Sequence, residues 1–414
     1  MRITRTATMM LLATAASASL MQPASALEAQ AFVDRVEEVY RHLGYEFEFG
    51  PATLDGDTIT VEGATANLVE TPDAEGVSTD TTFTFSGVTE REDGSYLVDS
   101  LTVPDLDTPI EAEPPGNVTI ADIVVEDIYL PAGEPTSSDM LQLIGSISTG
   151  PMAITREGDP VITYDSLEAV STFAPEQGAD DLADVTSELA ITGVWADLVT
   201  LNDVLSGHAE PMLEETGLSE ISGDITQSLA WSLEDGHMVM DEFLFDFADQ
   251  GALNIMFDIT GVTPELLDQV NALGEASATD GEMTEEEQQA QMMQGMALLQ
   301  DVEVISASIR YDDESLVDNL IDFYADKAGV DRATYVETLQ AQAANMLAGA
   351  GVTPLTNLLN PVVEDFLEDP QSIVISVSPP NPTSLLVLMA AAANPEGLIT
   401  ALNLLVDANV PAVE

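Results

Sequence analysis

Cysteine is absent from the 414 residues, which excludes disulfides, a thiol nucleophile and any zinc site built on thiolates. Cations are nearly absent as well. Lys327 is the one lysine, and nine basic residues face 74 acidic ones, for a formal charge of −65. Nucleic-acid phosphates need clustered Lys and Arg, so nucleic acid is excluded as a partner. Three histidines (His42, His208, His237) and two tryptophans (Trp195, Trp231) complete the scarcities. Beyond residue 26 the longest apolar run is Leu385 to Ala393, well short of the roughly 20 residues a bilayer-spanning helix needs. What is plentiful is apolar side chain, 45% of the total, enough to set the chain apart from a disordered acidic tail.

The first 26 residues read as an export signal. Arg2 and Arg5 form a positive start, Met9 to Leu20 an apolar core, and Ala24-Ser25-Ala26 a small-x-small cleavage site before Leu27. Cleavage there leaves seven basic and 74 acidic residues, a net of −67, in a product expected in the periplasm or secreted. The acids are spread along the chain, as in a hydrated surface whose self-repulsion is screened by salt. Asp55-Gly56-Asp57 and Asp280-Gly281-Glu282 lack the regular spacing of a calcium loop and read first as turns.

Periodicity gives the architecture. Phe32, Val33, Val36, Tyr40 and Leu43 share one helical face, with Gly44 placed to end the helix. Tyr45, Phe47 and Phe49 then alternate with glutamates as a strand. Further strands are expected at 58–62, 81–88, 95–103, 118–130, 151–155, 160–173 and 185–199, and frequent short turns favour antiparallel pairing. A helical stretch at 203–216 leads into a meander, 222–233, 237–248 and 252–261, with Asp-Gly and Asp-Gln-Gly turns. Leu229, Trp231 and Leu233 share one face of its first strand, Phe243, Phe245 and Phe247 one face of its second, and Leu253, Ile255, Phe257 and Ile259 one face of its third. At about 25 cal/mol per Å², such a surface is costly to leave in water, so a cover is expected. Candidate covers follow: a helix opened by Thr284 and Glu287 that carries Met292, Met293, Met296 and Leu299, another from Asp313 to Gly329, and a third from Asp331. Pro354 and Pro361 are expected to break the next region into short pieces, Ile373 to Val377 reads as a late strand, and Ala276 to Glu282 reads as a loop.

Chemistry is hard to find. No Gly-x-Ser-x-Gly, no His-Glu-x-x-His and no phosphate loop occurs. Adjacent acids such as Asp312-Asp313 follow from composition alone and do not single out a glycosidase pair. Methionine at helical spacing is more informative, being a flexible and polarizable side chain suited to varied apolar contacts.

The segment Gly223 to Thr260 resembles the sheet repeats of AsmA- and YdgA-like proteins. The stretches Ser308-Ile309-Arg310-Tyr311-Asp312-Asp313 and Ser376-Val377-Ser378-Pro379-Pro380-Asn381-Pro382 resemble uncharacterised periplasmic proteins of alphaproteobacteria. The resemblance implies envelope residence and lipid handling, and it carries over no catalytic residue. The usual membrane anchor of AsmA-like proteins has no counterpart in this sequence.

The expectation is an α+β fold: an extended antiparallel β-sheet, in two halves that share an order of elements, covered by amphipathic helices and helix-rich toward the C-terminus. Residues 1–26 are the signal, 27–200 a helix with a β-rich half, and 201–414 the meander with a helical half. The expected function is non-enzymatic: an exported envelope protein that holds a hydrophobic ligand (a lipid or acyl chain), or an envelope partner, in a groove between sheet and helix. Met292, Met293 and Met296 form one wall of that groove, and Trp231, Phe243, Phe245, Ile255 and Phe257 the other. No catalytic residue, metal or cofactor is expected. Two alternatives stand beside this reading, a structural or interaction protein with a filled core and an acidic solubilising surface, and a periplasmic hydrolase.

Overall fold

The computed structural model describes residues 27–411 except 69–76, 111–113, 180, 205–209, 279–284, 350–352 and 393–394. The expected signal, residues 1–26, therefore lies outside the described residues, as do His208 and Thr284. The fold is α+β and dominated by antiparallel sheet.

One continuous sheet carries the molecule. Tyr45–Phe49 and Ala52–Asp55 both pair with Thr58–Leu68, and the sheet continues through Val77–Ser86, Tyr96–Val103, Ile123–Leu130 and Ile144–Thr149. From there it runs through Ser166–Ala174, Asp184–Asp197, Glu220–Ser232, His237–Phe247, Gly251–Thr260, Glu303–Asp313 and Ser372–Val377 to the edge strand Leu405–Ala408. A branch leaves the end of Asp184–Asp197 through Asp159–Tyr164, Met152–Arg156 and Gly116–Ile120 to Leu106–Ile110. The strands on either side of residue 200, Asp184–Asp197 and Glu220–Ser232, pair with each other from Asp184↔Ser232 to Asp197↔Glu220, so the ladder passes unbroken from one half to the other.

The first half is sealed by its helix. Ala29–His42 buries Phe32, Val33, Val36 and Val39 against Ile59, Val61, Phe85, Tyr96 and Val98, and Gly44 turns the chain out of the helix at φ +85°. Phe32 sits edge-on to Phe85 and Tyr96, with ring centroids 5.0 and 5.4 Å away.

The second half keeps its helices elsewhere. Pro264–Ala278 and Glu285–Leu298 form an inserted pair between the neighbouring strands Gly251–Thr260 and Glu303–Asp313, and they pack on each other. Gln291 Nε2 donates to the Leu273 carbonyl at 3.2 Å across that pair. The expected loop at Ala276–Glu282 is helix as far as Ala278, and its remaining residues lie outside the described set. Leu316–Ala328, Arg332–Gly349 and Thr353–Glu368 pack in succession, and the last of them leans on Ser372–Val377 and the edge strand Leu405–Ala408. Gly329 ends the first of these in the left-handed region at φ +71°, and Asp331 caps the second through the Thr334 amide at 3.1 Å. The expected break at Pro361 does not occur. Thr353–Glu368 runs through that proline as one helix, giving up one backbone bond while its flanks pack on strand and helix. Pro354 falls in the first turn, where no amide donor is needed.

Candidate apolar binding face

Cross-strand register decides which side chains share a face, because directly opposed residues point the same way. One row reads Phe173, Val185, Trp231, Met238, Ile259 and Val304 across six strands. The next reads Leu229, Met240, Phe257, Ala307 and Val377. A third holds Ile255, Ile309, Ile375 and Val406, and a fourth Ile191, Ile225, Phe245, Leu253, Tyr311 and Ile373. Phe243 lies beside Phe245, with centroids 4.6 Å apart.

Irregularities keep these rows on one side. In His237–Phe247 the register slips by one residue around Asp241, so Met238 and Met240 share a face with Phe243, Phe245 and Phe247 despite the change of parity. A second bulge lies between Ile191 and Val194. There Gly193 takes φ +63°, and its amide donates to Asp224 Oδ1 at 2.8 Å.

The opposite side carries the charge. Its rows include Glu168 opposite Ala190 and Thr226, Glu188 opposite Ser228 and Glu242, and Asp224 opposite Asp246. Asp258 faces Ser306, while Arg310 is held by Asp312 on that same side. From Ser166–Ala174 to Leu405–Ala408, the one charged side chain on the apolar side is Asp313, which ends the row Gly223, Phe247, Gly251. Asp313 Oδ1 accepts the Tyr311 hydroxyl at 2.7 Å and the Val317 amide at 2.9 Å. Burial pushes the Tyr311 hydroxyl to ionise far above its usual range, and the Asp313 carboxylate adds to that shift.

The sequence-predicted residues divide in two. Trp231, Phe243, Phe245, Ile255 and Phe257 all share this face. The expected second wall is a correction: Met292 and Met293 are 63% and 65% exposed, Met296 is exposed as well, and their helix packs on Pro264–Ala278. The physical reason lies in the insertion. In a helix pair leaving and re-entering between adjacent strands, Pro264–Ala278 reaches the Trp231 end of the meander through Leu267, while Glu285–Leu298 packs on Pro264–Ala278. Trp231 is covered, in a cluster with Leu182, Val185 and Leu233 against which the half-buried Leu267 packs, and its Nε1 donates to the Val262 carbonyl at 2.7 Å. Further across the face the cover is interrupted: Ile309 is 48% and Ile375 44% exposed, side by side in one row whose last member, Val406, is buried again on the strand against which Thr353–Glu368 packs. Periodicity had marked Ile373 to Val377 as a strand, but nothing in the sequence said that Ile375 would stand uncovered beside Ile309.

Residues 244–409, which include most of this face, match a family described as "Uncharacterized protein". No match was found among curated proteins.

The remaining candidates for chemistry are dispersed. His42 lies in the last turn of the first helix. His237 Nε2 is 2.8 Å from Asp258 Oδ1, and among the described residues no serine hydroxyl is hydrogen-bonded to a histidine. No group of three or more His, Asp or Glu among the described residues is placed to hold a metal ion. On the charged side, two open clefts of about 690 and 320 Å³ share Glu168 and Val170 in their walls. No helix among the described residues is long and apolar enough to cross a membrane.

Proposed function

We propose that this is an exported, non-enzymatic protein of the cell envelope, resident in the periplasm, that holds an acyl chain on the apolar face of its C-terminal sheet. The observation that carries this reading is the uncovered pair Ile309 and Ile375, set in a face whose strands from residue 166 onward carry one charge. Two large apolar side chains left open side by side in a sheet row support a binding role, since exposure of this kind is costly unless something comes to cover it. The shared order of helix and strands in the two halves fits a duplication in which the first copy keeps its helix on the sheet and the second leaves its sheet free for a ligand.

Native mass spectrometry after mild extraction from the producing cell is expected to show a copurifying lipid, and the purified protein is expected to bind an uncharged apolar dye. Covering each half-exposed isoleucine is worth about 1 kcal/mol, so Ile309→Glu with Ile375→Glu is expected to weaken dye binding by roughly tenfold or more while far-UV circular dichroism is unchanged. A lipid-free mass together with no dye uptake by the unaltered protein sinks the proposal.

A further inference from the structure

We infer that the chain held on this face carries a positively charged head group, and that the same chain with an anionic head is rejected. This rests on the reading of the apolar face as a binding site and names the class of amphiphile it takes.

Every cation beyond residue 26 has a place in the structure, and no strand contributes one to the apolar rows. Arg35 and Arg41 belong to the first helix. Arg91 donates to the Gly178 carbonyl at 2.6 Å and Arg156 to the Pro114 carbonyl at 2.7 Å. Arg310 lies on the charged side, paired with Asp312 and donating to the Val410 carbonyl at 2.9 Å. Lys327 stands over the Phe323 ring, and Arg332 is clamped by Asp318 and Asp322. A fatty-acid carboxylate or an anionic phospholipid laid on this face would therefore meet no counter-ion, within a chain whose formal charge is −65.

A cation meets the reverse. Asp313 is on the face itself, and among the described residues its Oδ2 takes no hydrogen bond, its two partners both using Oδ1. Glu314 and Asp249 adjoin it, with the Asp249 amide donating to Glu314 Oε2 at 2.9 Å. Asp313 and Ile309 are four residues apart on one strand, roughly 13 Å at about 3.3 Å per residue. A head at Asp313 thus sends its chain along the Tyr311 side of the strand to the open isoleucines.

The test is displacement of the bound uncharged dye by probes matched in chain and differing in head: dodecyltrimethylammonium, dodecyl maltoside and dodecyl sulfate, each below its micelle concentration, with circular dichroism confirming the fold throughout. The ammonium probe is expected to displace at a concentration at least tenfold lower than the sulfate, with the maltoside between them. The gap should narrow near 1 M salt, where screening acts over about 3 Å. Tetramethylammonium, a head without a chain, should displace nothing. Ile309→Lys puts a cation on the face and is expected to reverse the order of ammonium and sulfate. Equal displacement by sulfate and ammonium, or an order indifferent to Ile309→Lys, overturns the head-group inference while dye binding still upholds the face as a site. Failure of the dye to bind the unaltered protein brings both down.

Discussion

Two tryptophans in contrasting settings allow a direct check on where the sheet is covered. Trp231 is buried in a cluster with Leu182, Val185 and Leu233, against which Leu267 of the inserted helix pair packs. Trp231→Phe removes the donor to Val262, a net loss of about 0.5–1.5 kcal/mol, and leaves that carbonyl without its partner at a cost of about 1–3 kcal/mol. The smaller ring also opens a cavity, so the total should reach about 2–4 kcal/mol. Trp195 is half-buried, and its Nε1 reaches Glu220 at 3.3 Å on the surface, where water can replace it. Trp195→Phe should therefore cost less than about 1 kcal/mol. Urea unfolding followed by far-UV circular dichroism compares the two midpoints, and tryptophan emission gives a second reading. Emission should move to the red when only Trp195 remains and to the blue when only Trp231 does. Equal midpoint shifts, or emission moving the opposite way, would refute the cover assigned to Trp231.

Phe32→Ala empties the centre of the first half's core and should cost about 3–5 kcal/mol, read as a lowered urea midpoint. At alkaline pH, burial and the neighbouring Asp139 and Asp93 carboxylates push Tyr129 up to about 12, and Tyr311 is also raised. A hydroxyl whose folded pKa is raised adds stability that is complete below its ordinary value near 10. Stability should thus decline from about pH 10 to 12, and Tyr129→Phe should flatten that decline. Hydrogen bonds from Ser95 and Thr334 hold Asp93 and Asp331 below 3.8, so their contribution is present above that value and is lost as pH falls below it, a trend that acid titration of the circular dichroism signal follows. Replacing Met292, Met293 and Met296 together by Gln should leave dye affinity within about twofold, because these side chains lie off the sheet face; a tenfold loss would restore them as a wall.

Much of the sheet was legible because alternation is a local property. Phe243, Phe245 and Phe247, then Leu253 to Ile259, announce their faces without reference to any partner strand. The bulge at Asp241 was not legible, since the slip of one residue shows only in the pairing with Leu229 and Phe257. The methionine stripe shows the opposite limit. Helical spacing reports that Met292 and Met296 share a side, but not which surface that side meets. That was decided by the chain path, with the helix pair entering at Gly261 and leaving at Asp301, whose carbonyl oxygen sits where a Cβ on Gly261 would fall. Pro361 failed as a breaker for a similar reason, because packing from both flanks outweighs one missing backbone bond.

An open apolar face raises the question of why such a chain would not associate with itself. Part of the answer is on the reverse of the same strands. Glu168, Glu188, Asp224, Glu242 and Asp246 put charge about 5 Å or a few multiples of it apart along the other side, so copies that approach through that side meet like-charge repulsion, and the net charge of the chain opposes approach at low salt. The edges add a second barrier. Leu405–Ala408 is only four residues long and includes Asp407, and the outer strand of the branch, Leu106–Ile110, includes Pro109, which cannot donate to an added strand. Both devices oppose another protein chain while leaving the Ile309–Ile375 patch accessible to a small apolar molecule that brings no sheet edge and little negative charge. On the function proposed above, an acid-rich reverse side and an apolar side with a single carboxylate, Asp313, are two parts of one arrangement, in which repulsion opposes the approach of further copies and the open isoleucines are left for the proposed ligand.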